Sequence, residues 1–463
     1  MKPLNNIKTR SVVIGTGWSP SVYDIVRCLG MKGIYSTVAS INTKHEMAYY
    51  SRYCSEKLII PVLQPENEEE ILSKLLEYAL QQEEKPILFY TDDAELRFVW
   101  QYHSRLLQFY RFLLPPDEIM EPIFNKVLFS GFAEKYHLPI PVSKAFRTTE
   151  QLRSEIDTVV FPCIVKPAYH QDWNWKSRNQ REYFGGYKES LRRFDSKNKL
   201  LEFCEKLPHS PSGFVVQEHI DGRDECIFSF HGYFNDRSHC LGYFLGHKIR
   251  TYPIHTGRSA YIETVDNPSL AKSSIEYLQR VGFRGIVKID YKWNKRSQVF
   301  NILEINPRYN MWEVLGAYAG INLPVIAFHS QRGENVTEQY SYNVNSSLIY
   351  CKEDLRSFLN GYRQTGEWTV RTYLKSILRK KQYRVFDRYD KMPFCFSTIS
   401  FIVRNFLRMF GVKPEYERTV DGELLKRKDG RAKKYHETLA DSDKNSNLVS
   451  SNSEIDTPVL IKN

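Results

Sequence analysis

The sequence predicts a mixed α/β and α+β protein, with an open parallel sheet first, a strand-rich region next and a basic helical stretch last. Three observations carry this. Apolar runs alternate with amphipathic segments over residues 8–118, strand periodicity dominates from Val159 to Arg332, and helical patterning with basic faces returns over 336–434.

A chain of 463 residues exceeds one ordinary core, so several domains are expected. The first is a Rossmann-like layer over 1–118. Its opening strand, Ser11–Ile14, stops at Gly15-Thr-Gly17, and Val22, Ile25, Val26 and Leu29 then recur at helical spacing up to Gly30 and Gly33. Further strands are expected at Tyr35–Ala39, Leu58–Val62 and Ile87–Tyr90, with an amphipathic helix from Glu68 to about Gln82. Position 20 is Pro, so Gly15-Thr-Gly17 fails the G-x-G-x-x-G fingerprint and reads as a tight strand-to-helix turn. Asp92-Asp93 follows a strand end, where parallel sheets gather ligands, and can equally cap a helix.

Pro115-Pro116 marks a boundary, and Asn125–Tyr136 reads as a helix opening a second domain over 119–335. A basic, mainly helical region is expected over 336–434 and a disordered Ser/Asn/Asp-rich tail over 435–463.

Hydrophobic residues at 42% and charged residues at 26% are the composition of a soluble globular protein. No signal-like stretch opens the chain and no run nears a membrane span, so a cytoplasmic location is expected. Eight cysteines without a CxxC pair fit neither a disulfide framework nor a zinc site. Residues 371–434 hold 18 Lys/Arg against 7 Asp/Glu, and 18 − 7 = +11 equals the net charge of the whole chain. Within this stretch, Phe396–Phe410 sets Ile399, Ile402, Phe406 and Phe410 on one helical face and Arg404 and Arg408 on another. Such a helix either docks on the body of the protein or makes peripheral contact with the inner face of a membrane, through anionic lipid. No nucleic-acid motif accompanies the basic residues, and charge alone gives only salt-sensitive, non-specific affinity, so no nucleic-acid partner is expected.

Residues 284–310 carry the chemistry. Gly285–Tyr291 and Gln298–Ile305 alternate as two strands around a polar turn, which brings Asp290 near Glu304 and Asn306. These are hard oxygen donors of the kind Mg2+ takes when it is shared with phosphates. Lys288 and Arg308 flank them with positive charge suited to a transferring phosphoryl group. An acidic hairpin alone is more often surface decoration, but Glu304-Ile-Asn-Pro-Arg308 sets a rigid Pro between an amide and a guanidinium. Lys166 ends the apolar strand Phe161–Pro167, where a buried cation needs a partner such as phosphate, whereas Lys126 alone would read as solvated. Phe214–Glu225 is a strand ending in an acidic turn, which serves either as an ordinary hairpin or as a contact for an adenine edge and a ribose. Arg250, Arg308 and, less so, Arg258 are candidates to grip a substrate carboxylate, with a surface salt bridge as good a reading for Arg250 and a better one for Arg258.

The order Lys126, Lys166-Pro, Gln217-Glu-His-Ile-x-Gly, Lys288-x-Asp290, Glu304-x-Asn306-Pro-Arg308 resembles the ATP-grasp superfamily. It is most similar to the carboxylate–amine ligases, the group with D-aspartate ligase-like and carbamoyl-phosphate-synthase-like proteins, over residues 10–330. The resemblance implies a pre-ATP-grasp domain over 1–118 and an ATP-grasp domain over 119–335, with ATP held between two α+β subdomains. Lys126 and Lys166 would hold phosphates, Glu218 with the backbone of His219 and Ile220 would meet adenine, and Glu225 would meet ribose. Asp290, Glu304 and Asn306 would hold two Mg2+, with Mn2+ as a substitute. Lys288 and Arg308 would serve the phosphoryl transfer. Small-molecule carboxylate and amine substrates would be joined through an acylphosphate, on an amino acid or an envelope or glycan precursor. The loop Tyr169–Tyr187, with Trp173, Trp175 and Tyr183 before Gly185-Gly186, is longer than the resemblance implies and is a candidate lid. The rival reading is a non-catalytic ATP sensor of the same fold.

Overall fold

The computed structural model describes residues 8–15, 20–41, 46–169, 193–207, 212–255, 257–409, 416–418 and 424–426. The Thr16-Gly17 part of the first turn, the loop from 170 to 187, Phe410 and the tail over 435–463 lie outside the described residues. The chain divides into two compact units, Met1–Val403 and Arg404–Asn463. In the second, strands Tyr416–Arg418 and Leu424–Lys426 pair antiparallel.

The first unit opens on a parallel sheet of β1 (Ser11–Ile14), β2 (Ser36–Ser40), β3 (Cys54–Ile59) and β4 (Ile87–Tyr90), ordered β3-β2-β1-β4. Strands β1, β2 and β4 are buried throughout, as a sheet covered on both faces requires. β3 lies four residues earlier than the apolar run Leu58–Val62 suggests. It is an edge strand with mostly exposed side chains, so Cys54-Ser-Glu-Lys carries no apolar signal. Helices Pro20–Gly30 and Glu68–Leu80 cover opposite faces with their apolar stripes, one joined to each of two separate cores.

A small antiparallel sheet follows, β5 (Ser143–Phe146), β6 (Cys163–Pro167) and β7 (Phe214–Glu218), in the order β5-β7-β6. Phe146, Cys163, Val165, Phe214 and Val216 share one core with Leu200 and Phe203 of helix Lys197–Glu205.

The third sheet has seven strands: β8 (Ile227–Phe234), β9 (Cys240–Tyr252), β10 (Arg258–Thr264), β11 (Gly285–Asn294), β12 (Val299–Asn306), β13 (Ser347–Ile349) and β14 (Gln382–Tyr383). Their order is β12-β11-β8-β9-β10-β13-β14, antiparallel except for the last pair. Helix Pro268–Arg280 covers one face through Leu270, Ala271 and Leu278. On the other, Phe244 packs in one core with Trp312, Val314 and Leu315 and with the helix Pro20–Gly30. That shared core seats the large sheet against the first layer.

The region after 336 is helical over Cys351–Ser357, Val370–Leu378 and Met392–Met409, with a π-turn at Phe358–Tyr362. It also supplies β13 and β14, which sequence periodicity did not anticipate because three- and two-residue strands are too short to show alternation. Buried polar contacts tie it to the rest of the first unit: Arg384 Nε donates to Asp24 Oδ2 at 2.9 Å, and Arg52 N donates to Asp390 Oδ1 at 2.9 Å.

Candidate active site

The hairpin β11–β12 sets Asp290 opposite Glu304 and Lys288 opposite Asn306. A two-residue side-chain period along β11 puts Lys288, Asp290 and Lys292 on one face. Asp290 is buried, and Lys288 Nζ lies 2.6 Å from Oδ2 while Ser229 Oγ donates to Oδ1. Lys248 Nζ stands 3.9 Å from the same Oδ2. Burial opposes the Asp290 charge, but Lys288 and Lys248 outweigh it and hold its carboxyl well below the usual range. Burial lowers Lys288, offset in part by Asp290.

Lys166 reaches from β6 across the small sheet, its Nζ donating to Gln217 Oε1 at 2.7 Å, and Gln217 Nε2 donates to Ser143 Oγ at 2.9 Å. Lys126 opens the helix Lys126–Lys135, whose Asn125 cap accepts from Val127 N at 2.9 Å and Leu128 N at 3.3 Å. Lys126, Lys166, Gln217 and Glu304 line one open cleft, with Ile123, Phe129 and Ile140 as part of its apolar wall. Burial, with the Lys126 ammonium adding to it, pushes Lys166 down to about 8, against the pull of Glu304. Glu304 is exposed, and its charge favours the cationic form of Lys166, Lys288 and Arg308 alike.

Arg308 follows the hairpin and turns toward the first sheet. It donates through Nη2 to Asp93 Oδ2 at 3.3 Å and through Nη1 to the Thr91 carbonyl at 3.5 Å. Burial works against its charge, and Asp93 and Asp92 more than offset that. The two aspartates thus divide their work. Asp92 caps the helix Asp93–Gln101 in a capping box with Glu95, while Asp93 pairs with Arg308.

At the end of β7, Glu218 N donates to the Val142 carbonyl at 2.8 Å, and Val142 N donates to Glu218 Oε2 at 3.4 Å. His219 N donates to the Pro162 carbonyl at 2.8 Å, and Ile220 is buried. Glu225 is exposed on the turn Asp224–Cys226. Beside it, Asp224 is buried and accepts from Thr251 Oγ1 at 2.8 Å and from Tyr362, and His255 also reaches it. Burial opposes the Asp224 charge, but these bonds hold its pKa down to about 2. Lys292 Nζ bonds the carbonyls of Gly222 and Arg223 at 2.5 and 3.1 Å and so fastens the same loop.

Lys126, Lys166 and the β12 side of the hairpin, through Glu304, therefore converge on one cleft between the small and large sheets, whereas Lys288, Asp290, Asn306, Glu218, His219, Ile220 and Glu225 are not among the residues that line it. Sequence reasoning passed over Gln217, Ser229, Lys248, Asp224 and Lys292 as functional residues. Two carried a signal: Lys292 continues the alternation of Lys288 and Asp290, and Gln217 opens the Gln217-Glu-His-Ile-x-Gly stretch. One expectation is corrected. Arg250 is fully buried, with Nε and Nη2 donating to the two Asp354 oxygens at 2.7 and 3.0 Å and its guanidinium 4.4 Å from the Trp368 ring centroid. It is a packing residue and grips no substrate.

Among the described residues no cluster of three or more His, Cys, Asp and Glu is placed to hold a metal. Asp290, Glu304 and Asn306 offer two carboxylates and an amide on facing strands, with Lys288 already on one Asp290 oxygen. That donor set suits a hard cation shared with phosphate, and not a closed all-protein cage.

A small and a large antiparallel sheet closing on a lysine-lined cleft give the chain the ATP-grasp fold. No family model matches it. It is similar to the D-aspartate ligase of Enterococcus faecium, 21% identical over 274 residues that cover 57% of this chain and 62% of that one. It is also similar to the carbamoyl phosphate synthase large chain of Methanobrevibacter smithii, 21% identical over 208 residues, 44% of this chain and 18% of that one. The chain thus spans less than two thirds of either relative. Among solved structures, N5-carboxyaminoimidazole synthetase from Staphylococcus aureus complexed with ADP superposes with a TM-score of 0.55 at 12% identity, covering 80% of this chain and 88% of that one.

Proposed function

We propose that this protein is an ATP-dependent carboxylate–amine ligase, acting on a small carboxylate and a small amine. The observation that carries the reading is the convergence of Lys126, Lys166 and Glu304 on one cleft, with Asp290 across the hairpin from Glu304. Bound Mg-ATP supplies the phosphoryl group that turns an inert carboxylate into an acylphosphate, with ADP released and phosphate leaving when the amine forms the C–N bond. Lys126 and Lys166 neutralise the phosphate oxygens, and Gln217 holds the Lys166 ammonium in place. Asp290, Glu304 and Asn306 would be the oxygen donors for Mg2+, which would offset charge on the phosphates, and Lys288, beside Asp290, would add its positive charge there. Arg308, positioned by Asp93, stabilises the negative charge that develops. Glu218, His219 and Ile220 receive adenine at the β7 end, and Glu225 receives ribose.

The first experiment measures Mg-dependent ADP and phosphate release across a panel of amino acids and amino sugars, with Glu304→Ala as control. One acid–amine pair should stimulate release, and the variant should abolish it, by about 10²-fold or more, because an exposed metal ligand is lost without disturbing the core. ATP binding without turnover by any pair would favour the non-catalytic sensor instead.

A further inference from the structure

We propose that residues 355–403 form a surface that docks this protein onto an anionic lipid bilayer. Neighbouring helices here each turn an apolar stripe to solvent. In Val370–Leu378, Val370, Leu374 and Leu378 recur every fourth residue and are 48%, 48% and 83% exposed, while Tyr373 and Ser376 on the other side are buried. Leu355 and Leu359 repeat the spacing across Cys351–Ser357 and the π-turn. In Met392–Met409, Met392, Ile399, Ile402 and Val403 are exposed. Phe358 stacks on Tyr373 at 4.0 Å, and Lys352 Nζ lies 4.7 Å from the Phe401 ring centroid, so these helices are neighbours. Tyr383, Phe386 and Tyr389 add exposed rings of the kind that settle at a membrane interface.

Charge decides what covers this surface. Residues 351–403 hold 11 Lys/Arg and 5 Asp/Glu. Nine of those 11 cations are exposed, whereas none of the 5 acids is; Asp354, Asp387 and Asp390 are buried against Arg250, Tyr318 and Ser51. A second copy of the chain docked face to face would press this positive surface against itself. A bilayer bearing phosphate headgroups accepts both the cations and the apolar stripes between them. Among the described residues no helix is long and apolar enough to cross a membrane, so the contact is peripheral.

The test spins the full chain with phosphatidylcholine vesicles made with or without phosphatidylglycerol. The protein should sediment with the anionic vesicles and stay in solution with the neutral ones, and salt of about 1 M should release it. L374E/L378E should weaken binding by about ten-fold or more. Its melting temperature should be unchanged, because both side chains already face water. No sedimentation with anionic vesicles at low salt, or binding unaltered in the double variant, overturns the proposal. So does a dimer in light scattering that the same variant splits, since the face would then belong to self-association.

Discussion

Lys166 is the residue whose chemistry is most exposed to measurement. Its ammonium sits at a pKa of about 8 because burial and Lys126 both disfavour the charge. Phosphate in the cleft would favour it, so nucleotide binding raises that pKa and takes up a proton. Mg-ATP affinity should therefore be full below pH 8 and fall as pH rises through it, by up to about ten-fold per pH unit until the bound-state pKa is passed. Calorimetric titration between pH 7 and 9.5 checks this, and Lys166→Met should be weaker at every pH with that slope removed. The sequence pointed to Lys166 because a lone cation on an apolar strand needs a partner, and to Asp290 and Glu304 because two strands around a short turn set them opposite each other, as the hairpin does. Arg250, left open between a substrate contact and a surface salt bridge, proves to be part of a buried ion pair. The sequence shows a guanidinium, but the Asp354 that consumes it lies 104 residues away and is brought to it only by folding.

At the scale of elements, the site depends on how the helix Lys126–Lys135 begins. Asn125 accepts from the second and third amides of that helix and fixes the direction in which Lys126 leaves the turn, while Lys126 N donates to the Ala168 carbonyl just past β6. That backbone bond ties the start of the helix to the end of β6, the strand that carries Lys166. Asn125→Ala should cost about 1 kcal/mol of stability in chemical denaturation. It should also weaken ATP binding, while Ala substitution at Thr148, which caps the helix Thr149–Ser154, should cost similar stability and leave affinity alone. Comparing the two variants separates capping from site geometry. Elements with long periodic patterns, such as Pro20–Gly30 and Glu68–Leu80, were legible to within a residue or two. Edge strand β3 and the short β13 and β14 were not, because edge strands lose their apolar face and very short ones never complete a period.

At the scale of the whole molecule, the segment after residue 336 holds the first unit together as part of its core. β13 pairs with β10 and β14 with β13, which covers an edge of the large sheet. Arg384 then reaches Asp24 on the helix Pro20–Gly30, both fully or nearly fully buried, and Tyr318 bonds Asp387. Burial strongly opposes ionisation of Asp24, and Arg384 is the leading group that offsets it. Leaving a buried carboxylate without its guanidinium typically costs about 3–5 kcal/mol, a large part of a typical domain's stability. Arg384→Met should therefore lower the denaturation midpoint sharply, and Asp24→Asn/Arg384→Met should recover part of the loss because no lone charge remains. A chain cut after residue 345 goes further, opening the β10 edge, stranding Asp24 and removing Asp354 from Arg250, so it should be insoluble or molten by near-ultraviolet circular dichroism. A soluble, cooperatively folding 1–345 fragment that still binds ATP would show instead that the later segment is an appended module, despite its strands and buried pairs.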